Sequence, residues 1–342
     1  MNKRLILIVV TLSLIFSGMV GYHYYQHIFG SLVNKTGAVY IRSTDNINDV
    51  RKALDNFIGD ENTFFWLANR KNYKNPKAGK YIITKGMSLN DVINLLRSGN
   101  QTPVKVSFNN QDSLEKFSGR IAMQLELDSI SILKAFRDPV FLSTNKLSEL
   151  SALEILIPNT YEFYWNVSAE KFRTNMLKEF KKFWNKDRLH KAAQIKMSPS
   201  QIMTLASIVQ KETAKVSERP IVAGLYLNRL KRNIPLQADP TIIYILKQKN
   251  GENFQVKRVL LKDLKISSPF NTYLNRGLPP NLISMPDISS INAVLNFQKH
   301  NYLYMCASVT NIGYHEFAST LKKHNNNAVK YQRWLNKKGV NR

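Results

Sequence analysis

Hydrophobic and polar positions follow two different periods along this chain, after an initial run with no period at all. From Leu5 to Tyr22 (LILIVVTLSLIFSGMVGY) no residue carries charge, and a helix of that length is about sufficient to span ~30 Å of hydrocarbon. Between Ala38 and Phe108, short β-type runs (AVYIR, KYIIT, VKVSF) interleave with helical patterns. Asn46-Ile-Asn-Asp predicts a helix start, and the turn signal KNPKAG leads into KYIIT. In MSLNDVINLLRSG, Ser88 predicts an N-cap with Asp91 as its capping-box partner. Leu89, Val92, Leu95 and Leu96 share one apolar face there, and Gly99 ends the helix. These elements predict a small β/α module, to be read either as a membrane-proximal spacer or as a glycan-binding platform.

From Asp112 to about Lys196 the pattern is mainly helical and lysine-rich, with an aromatic cluster, Tyr161-Glu-Phe-Tyr-Trp165. In KEFKKFWNKDRLHK, lysines interleaved with Phe180, Phe183 and Trp184 at helical spacing predict a solvated face beside a packed one, with a polyanion groove as the alternative. The next helix, MSPSQIMTLASIVQKETAK, is announced by Ser198 as N-cap and Pro199 at its first position. Three, four and seven residues before Glu212 stand Val209, Ile208 and Leu205, so this carboxyl projects from the apolar stripe. Gln210 is rotated about 200° away. A carboxyl among aliphatic side chains is desolvated, its pKa rises, and it can act as a general acid near neutrality. The alternative is a Glu paired with an arginine of the SER or NRL segments that follow. Farther on, Asp239-Pro240 predicts the start of a turn or helix, and Gly277 with Pro279 and Pro280 shapes a loop.

Composition narrows these readings. At 342 residues with 44% hydrophobic and 11% aromatic content, the chain has apolar area for a sizeable core, which excludes a disordered or collagen-like protein. Lys+Arg 49 against Asp+Glu 24 gives a net charge of +25, so nucleic acid, an anionic membrane face and bacterial wall polymer all qualify as partners. One cysteine, Cys306, rules out a disulfide framework, and six scattered histidines form no HExxH. Neither GxGxxG nor GxxxxGK[ST] occurs, so neither a metal nor a cofactor is expected. Lys3 and Arg4 precede the apolar run, which favours a cytoplasmic N-terminus and export of everything after His23. Tyr22, Tyr24 and Tyr25 stand where an interfacial aromatic belt would, supporting a retained anchor. The alternative, a cleaved signal peptide, calls for an A-x-A-like site that the segment does not contain. Export argues against nucleic acid as the partner.

Four ordered blocks then carry a resemblance: LASIVQKETAKVSERPIVAGLYLNRL; IPLQADPTIIY; SPFNTYLNRGLPPNLISMP; and NYLYMCAS with HEFASTLKKHN. Together they resemble the MltG (YceG-like) family of endolytic murein transglycosylases over most of Leu205 to Asn325, and AGKYIITKGMSLNDVINLLRSG is similar to that family's LysM-like portion. The resemblance implies a single-pass inner-membrane protein with its catalytic domain outside the cytoplasm. Its substrate would be nascent peptidoglycan glycan strands, with peptidoglycan synthases as candidate partners. It places the family's catalytic glutamate at Glu212, in Gln210-Lys211-Glu212-Thr213, where Gln210 departs from the family's usual acid. Gln237, Asp239, Thr241, Tyr244, Asn271 and Tyr273 match family segments that would bind substrate, although the DPT and GLPP elements also read simply as turn chemistry. The NNQDS segment after Phe108 is a further departure.

The expected fold class is α+β: an N-terminal transmembrane helix, a LysM-like β/α module and a larger C-terminal mixed α/β catalytic domain. The expected boundaries are 1–26 for the cytoplasmic tip and anchor, 27–110 for the LysM-like module, 111–196 for a helical connecting region and 197–342 for the catalytic domain. The implied reaction uses Glu212 twice, as acid and then as base, and leaves a 1,6-anhydro end. Two alternatives stand beside it: a lysozyme-like hydrolase with Asp239 as the second carboxylate, and a non-catalytic wall-binding or scaffold protein.

Overall fold

The computed structural model describes residues 3–58, 61–256 and 258–337. Residues 1–2 of the expected cytoplasmic tip and 338–342 of the expected catalytic domain lie outside them. Helices and short strands mix throughout. The contacts divide the chain into two units, one of residues 1–106, 122–127 and 161–168, the other of 107–121, 128–160 and 169–342.

The first unit begins with α1 (Lys3–Phe29), followed by β1 (Gly37–Ile41), α2 (Ile47–Ala53), α3 (Glu61–Arg70), β2 (Gly79–Ile83), α4 (Leu89–Ser98) and β3 (Val104–Phe108), whose end passes into the second unit. From Ile6 to Tyr25 the apolar side chains of α1 are exposed while Ile28, near its end, packs into the core of this unit, and the helix is long and apolar enough to cross a membrane. β1 pairs antiparallel with β2, Val39 opposite Tyr81. Because alternate residues face one side of a strand, Val39, Ile41, Tyr81 and Ile83 all enter a core completed by Val92, Ile93 and Leu96 of α4. Both expected helix starts form full capping boxes, Asn46 with Asp49 and Ser88 with Asp91. Gly99 ends α4 at φ 75°, left-handed backbone that a glycine adopts without steric penalty.

The second unit continues through α5 (Leu114–Ala122), α6 (Ser129–Phe136), α7 (Pro139–Thr144), α8 (Ala169–Phe183) and α9 (Lys186–Gln194), while β4 (Asn159–Phe163) begins in it and ends in the first unit. A cluster of Phe108, Phe117, Phe136 and Phe172 packs edge-to-face and stacked. The segment expected to be mainly helical also contains β4, where Thr160, Tyr161 and Phe163 favour extended backbone. At the end of α8, Trp184 is buried while Lys181 and Lys182 are exposed, a packed face beside a solvated one.

Beyond these lie α10 (Pro199–Glu212), α11 (Arg219–Lys231), α12 (Asp239–Asn250), α13 (Ile288–Leu295), the antiparallel pair β5 (Tyr304–Ala307) and β6 (His315–Ala318), and α14 (Leu321–Lys337). Ser198 caps α10 in a box with Gln201, and Pro199 occupies the first turn. Every residue from Ile202 to Gln210 is buried, since α10 packs against α11, α12 and α13 at once. Asp112, in the divergent NNQDS segment, ties two of these helices together by pairing with Lys211 (2.7 Å) and Lys247 (3.3 Å).

Candidate active site

Glu212 is the last residue of α10, where the buried stripe opens onto a cavity of about 390 Å³. The walls come from α11 (Tyr226, Arg229), the entry to α12 (Gln237, Asp239), the loop holding Tyr273, β5 and the residue before it, His315 at the start of β6, and His324 of α14. The Tyr226 hydroxyl donates to Glu212 Oε1 at 2.5 Å. Burial pushes the Glu212 carboxyl up to about 7, the Tyr226 hydrogen bond pulls it back, the charge of Asp239 raises it and that of Arg229 lowers it. A carboxyl poised there can give a proton near neutrality and take one back. Burial, then the neighbouring Glu212, also pushes the Tyr226 phenol well up, so it remains a donor.

Two further contacts shape the cavity. Tyr273 donates its hydroxyl to Asp239 Oδ1 at 2.5 Å, and burial together with that hydrogen bond pushes its phenol up. Arg229 donates to the carbonyls of Leu303 (2.6 Å), Pro235 and Leu236 (2.9 Å each) and to Gln237 Oε1 (3.1 Å). Gln237 itself sits at φ 51°, left-handed backbone that is uncommon for a non-glycine residue and concentrates at functional sites.

The structure thus gathers Glu212, Gln237, Asp239 and Tyr273 around one cavity. Thr241, Tyr244 and Asn271 stand outside that lining. Thr241 is buried, donating to the Ala238 carbonyl (2.7 Å) and meeting the Thr272 hydroxyl (2.9 Å). Asn271, also buried, donates to the Leu264 and Ile266 carbonyls and accepts from the Tyr273 main chain at 2.9 Å, which holds the Tyr273 loop in place. Tyr244 packs on Phe270 and lines a smaller pocket with Asp112. Gln210 faces α13, accepting from the Asp287 main chain (2.5 Å) and the Ser290 hydroxyl (3.3 Å), as the rotation along the helix predicts.

The arginine of the NRL segment does reach the cavity, as Arg229. Its N–H groups nevertheless go to carbonyls and Gln237, and among the described residues Glu212 forms no ion pair. Sequence reasoning met Arg229 only as an alternative ion-pair partner and missed Tyr226, Tyr304, His315 and His324. The i, i+3 spacing of Tyr226 and Arg229 on one helix face was the available signal for that pair. A larger groove of about 970 Å³ lies beside the GLPP loop, and no carboxyl group lines it.

A family model, described as the YceG-like family, matches residues 39–330. This chain belongs to that family. It is 28% identical to the endolytic murein transglycosylases of two Streptococcus pneumoniae strains over 94% of its own length and 64% of theirs. Against the endolytic murein transglycosylase of Bacillus subtilis it is 29% identical, covering 86% of this chain and 84% of the relative. The 2.6 Å crystal structure of a protein described as YceG-like, from Listeria monocytogenes, superposes with a TM-score of 0.56 at 28% identity, covering 85% of this chain and 98% of that one. The chain thus spans 64% of the length of its pneumococcal relatives, and the family match includes every residue named above around the cavity.

Proposed function

We propose that this chain is an endolytic lytic transglycosylase of peptidoglycan, with Glu212 as its single general acid and base. The observation that carries this reading is the Glu212 carboxyl, at the mouth of a buried stripe and raised to about 7 in a cavity that also holds Asp239 and Tyr273. With Tyr226 donating to Oε1, the transferable proton sits on Oε2. That proton goes to the oxygen linking N-acetylmuramic acid to N-acetylglucosamine, and the C1–O bond breaks through an oxocarbenium-like state. The Glu212 carboxylate then takes the proton of the muramoyl C6 hydroxyl, O6 closes onto C1, and the acid is restored with no water consumed. Asp239, held by Tyr273, supplies a second negative charge beside the developing cation.

The reading extends to the rest of the chain. Helix α1 anchors it in the inner membrane with its N-terminus in the cytoplasm, and the remainder works outside. The order β1–α2–α3–β2, with its antiparallel strand pair, supports a LysM-like module within 27–110, followed by the connecting region 111–196 and the catalytic domain 197–342. The excess of basic residues favours wall polymer and anionic lipid surfaces, and peptidoglycan synthases are the partners a nascent-strand cutter would meet.

One observation keeps a hydrolase in view: Asp239 shares the cavity with Glu212, as a two-carboxylate mechanism requires. Mass analysis of muropeptides released from purified sacculi separates the two. The transglycosylase gives anhydro ends one water lighter than the hydrolase product, and reducing ends alone would overturn the proposal.

A further inference from the structure

The cavity that holds Glu212 also borders a second built arrangement that the mechanism above does not use. Glu218 lies in the short 3-10 turn Val216–Glu218 and is buried, yet it is paired with a side chain that lines the cavity. Its two carboxyl oxygens are both spent on one residue. Oε1 accepts the main-chain N–H of His315 at 2.7 Å, and Oε2 meets His315 Nδ1 at 2.8 Å. A carboxylate only accepts hydrogen bonds, so Nδ1 carries a hydrogen and the orientation of the ring is fixed. That leaves Nε2, an acceptor in the neutral imidazole, as the remaining polar atom of a ring that lines the same cavity as Glu212. Among the described residues Nε2 has no hydrogen-bond partner.

Burying a carboxylate is costly, and a purely structural clamp on the start of β6 needs only the main-chain bond. The second bond, to the ring, fixes what the ring presents to the cavity. The transglycosylase cycle returns its proton to Glu212, so it needs no separate proton relay. A fixed acceptor facing a glycan site has a simpler use.

Resting on the reading of the cavity as a peptidoglycan site, we infer that His315 is a substrate-contacting residue whose Nε2 accepts a hydrogen bond from a hydroxyl or acetamido N–H of the glycan, with Glu218 as the positioning residue behind it. The dyad thereby selects how the sugar chain is seated, while Glu212 performs the chemistry.

Two substitutions separate this role from a structural one, because an asparagine amide overlays Nδ1 of histidine and a glutamine amide overlays Nε2. In the full-length protein acting on purified glycan strands, His315→Asn keeps the contact with Glu218 and loses the substrate contact. It should lower kcat/KM about tenfold, chiefly through KM, the size expected for one hydrogen bond to a ligand. His315→Gln should stay within about threefold of the parent, since its acceptor reaches the Nε2 position. The opposite order, with Asn active and Gln impaired, would show that only the Glu218 contact matters and would overturn the inference. Equal loss in both, accompanied by a lowered Tm, would overturn it as well. Glu212→Gln serves as the control on the underlying reading: full cutting by that variant would overturn the assignment of the cavity itself, whereas loss there with no change in either His315 variant overturns the role of His315 alone.

Discussion

Helices α4 and α10 begin alike and end differently. Both open with a serine N-cap in a full capping box, and both pack an apolar stripe into a core. In α4 the stripe of Leu89, Val92, Ile93 and Leu96 runs to a left-handed glycine, and every level of the sequence points the same way. In α10 the stripe of Leu205, Ile208 and Val209 runs into Glu212, a carboxyl held at about 7 by its burial, where folding alone would favour another aliphatic residue. The difference teaches where to look for chemistry: in the turn where a well-specified helix breaks its own pattern.

The sharpest way to break the comparison is Glu212→Gln, which keeps the volume and the acceptor for Tyr226 and removes only the proton. Cutting of sacculi should fall by about 10²–10⁴-fold, the usual contribution of a general acid and base. The same variant reports on stability. The folded-state carboxyl titrates at about 7 against an ordinary value of 4.5, so between these the folded chain binds more protons than the unfolded one. Its contribution to stability is complete below pH 4.5 and is lost as pH rises through about 7. Urea unfolding should therefore show the parent losing stability between pH 5 and 8 relative to Glu212→Gln, and parallel curves would refute the raised value.

Next in size is Leu96→Ala, which empties part of the α4 core and should cost about 2–5 kcal/mol in denaturant unfolding. If α4 is purely structural, turnover per folded molecule should stay unchanged. Tyr226→Phe is subtler. It removes the donor that favours the Glu212 carboxylate, so the alkaline limb of the kcat/KM profile should move upward by about one pH unit, roughly the effect of one hydrogen bond to a charged group. A downward movement would contradict the arrangement. The smallest effects belong to the shared feature: Ser88→Ala and Ser198→Ala should each cost about 1 kcal/mol, showing that the two helices are equivalent at their starts.

Local signals were legible wherever neighbours in sequence are neighbours in space. The boxes at Asn46, Ser88 and Ser198, the glycine stop at Gly99 and the stripe carrying Glu212 all lie within one or two helical turns. Asp239-Pro240 announced α12 for the same reason. The cavity walls were harder to read because they meet over long separations. Tyr226 sits in the apolar run IVAGLYL of α11, so its hydroxyl leaves no mark on the period, and Arg229 is spent on carbonyls brought to it by the folded chain. Asn271 and Thr241 have the donors and acceptors of sugar-binding residues, yet they turn those groups toward the protein's own backbone. β4 arose within a stretch read as helical, since an aromatic cluster suits either period.

The reach of two of these contacts has a consequence for how the protein is made. Arg229 grips the carbonyl of Leu303, 74 residues downstream, and Glu218 receives the main chain of His315 after 97. A ribosome delivers α10 and α11 well before it delivers the hairpin that closes the cavity over them. Until that hairpin arrives, the cavity beside Glu212 lacks the walls that β5 and β6 supply. The enclosure around Glu212 is therefore finished only when the hairpin and α14 have docked, so the reaction chamber and the completed fold appear together.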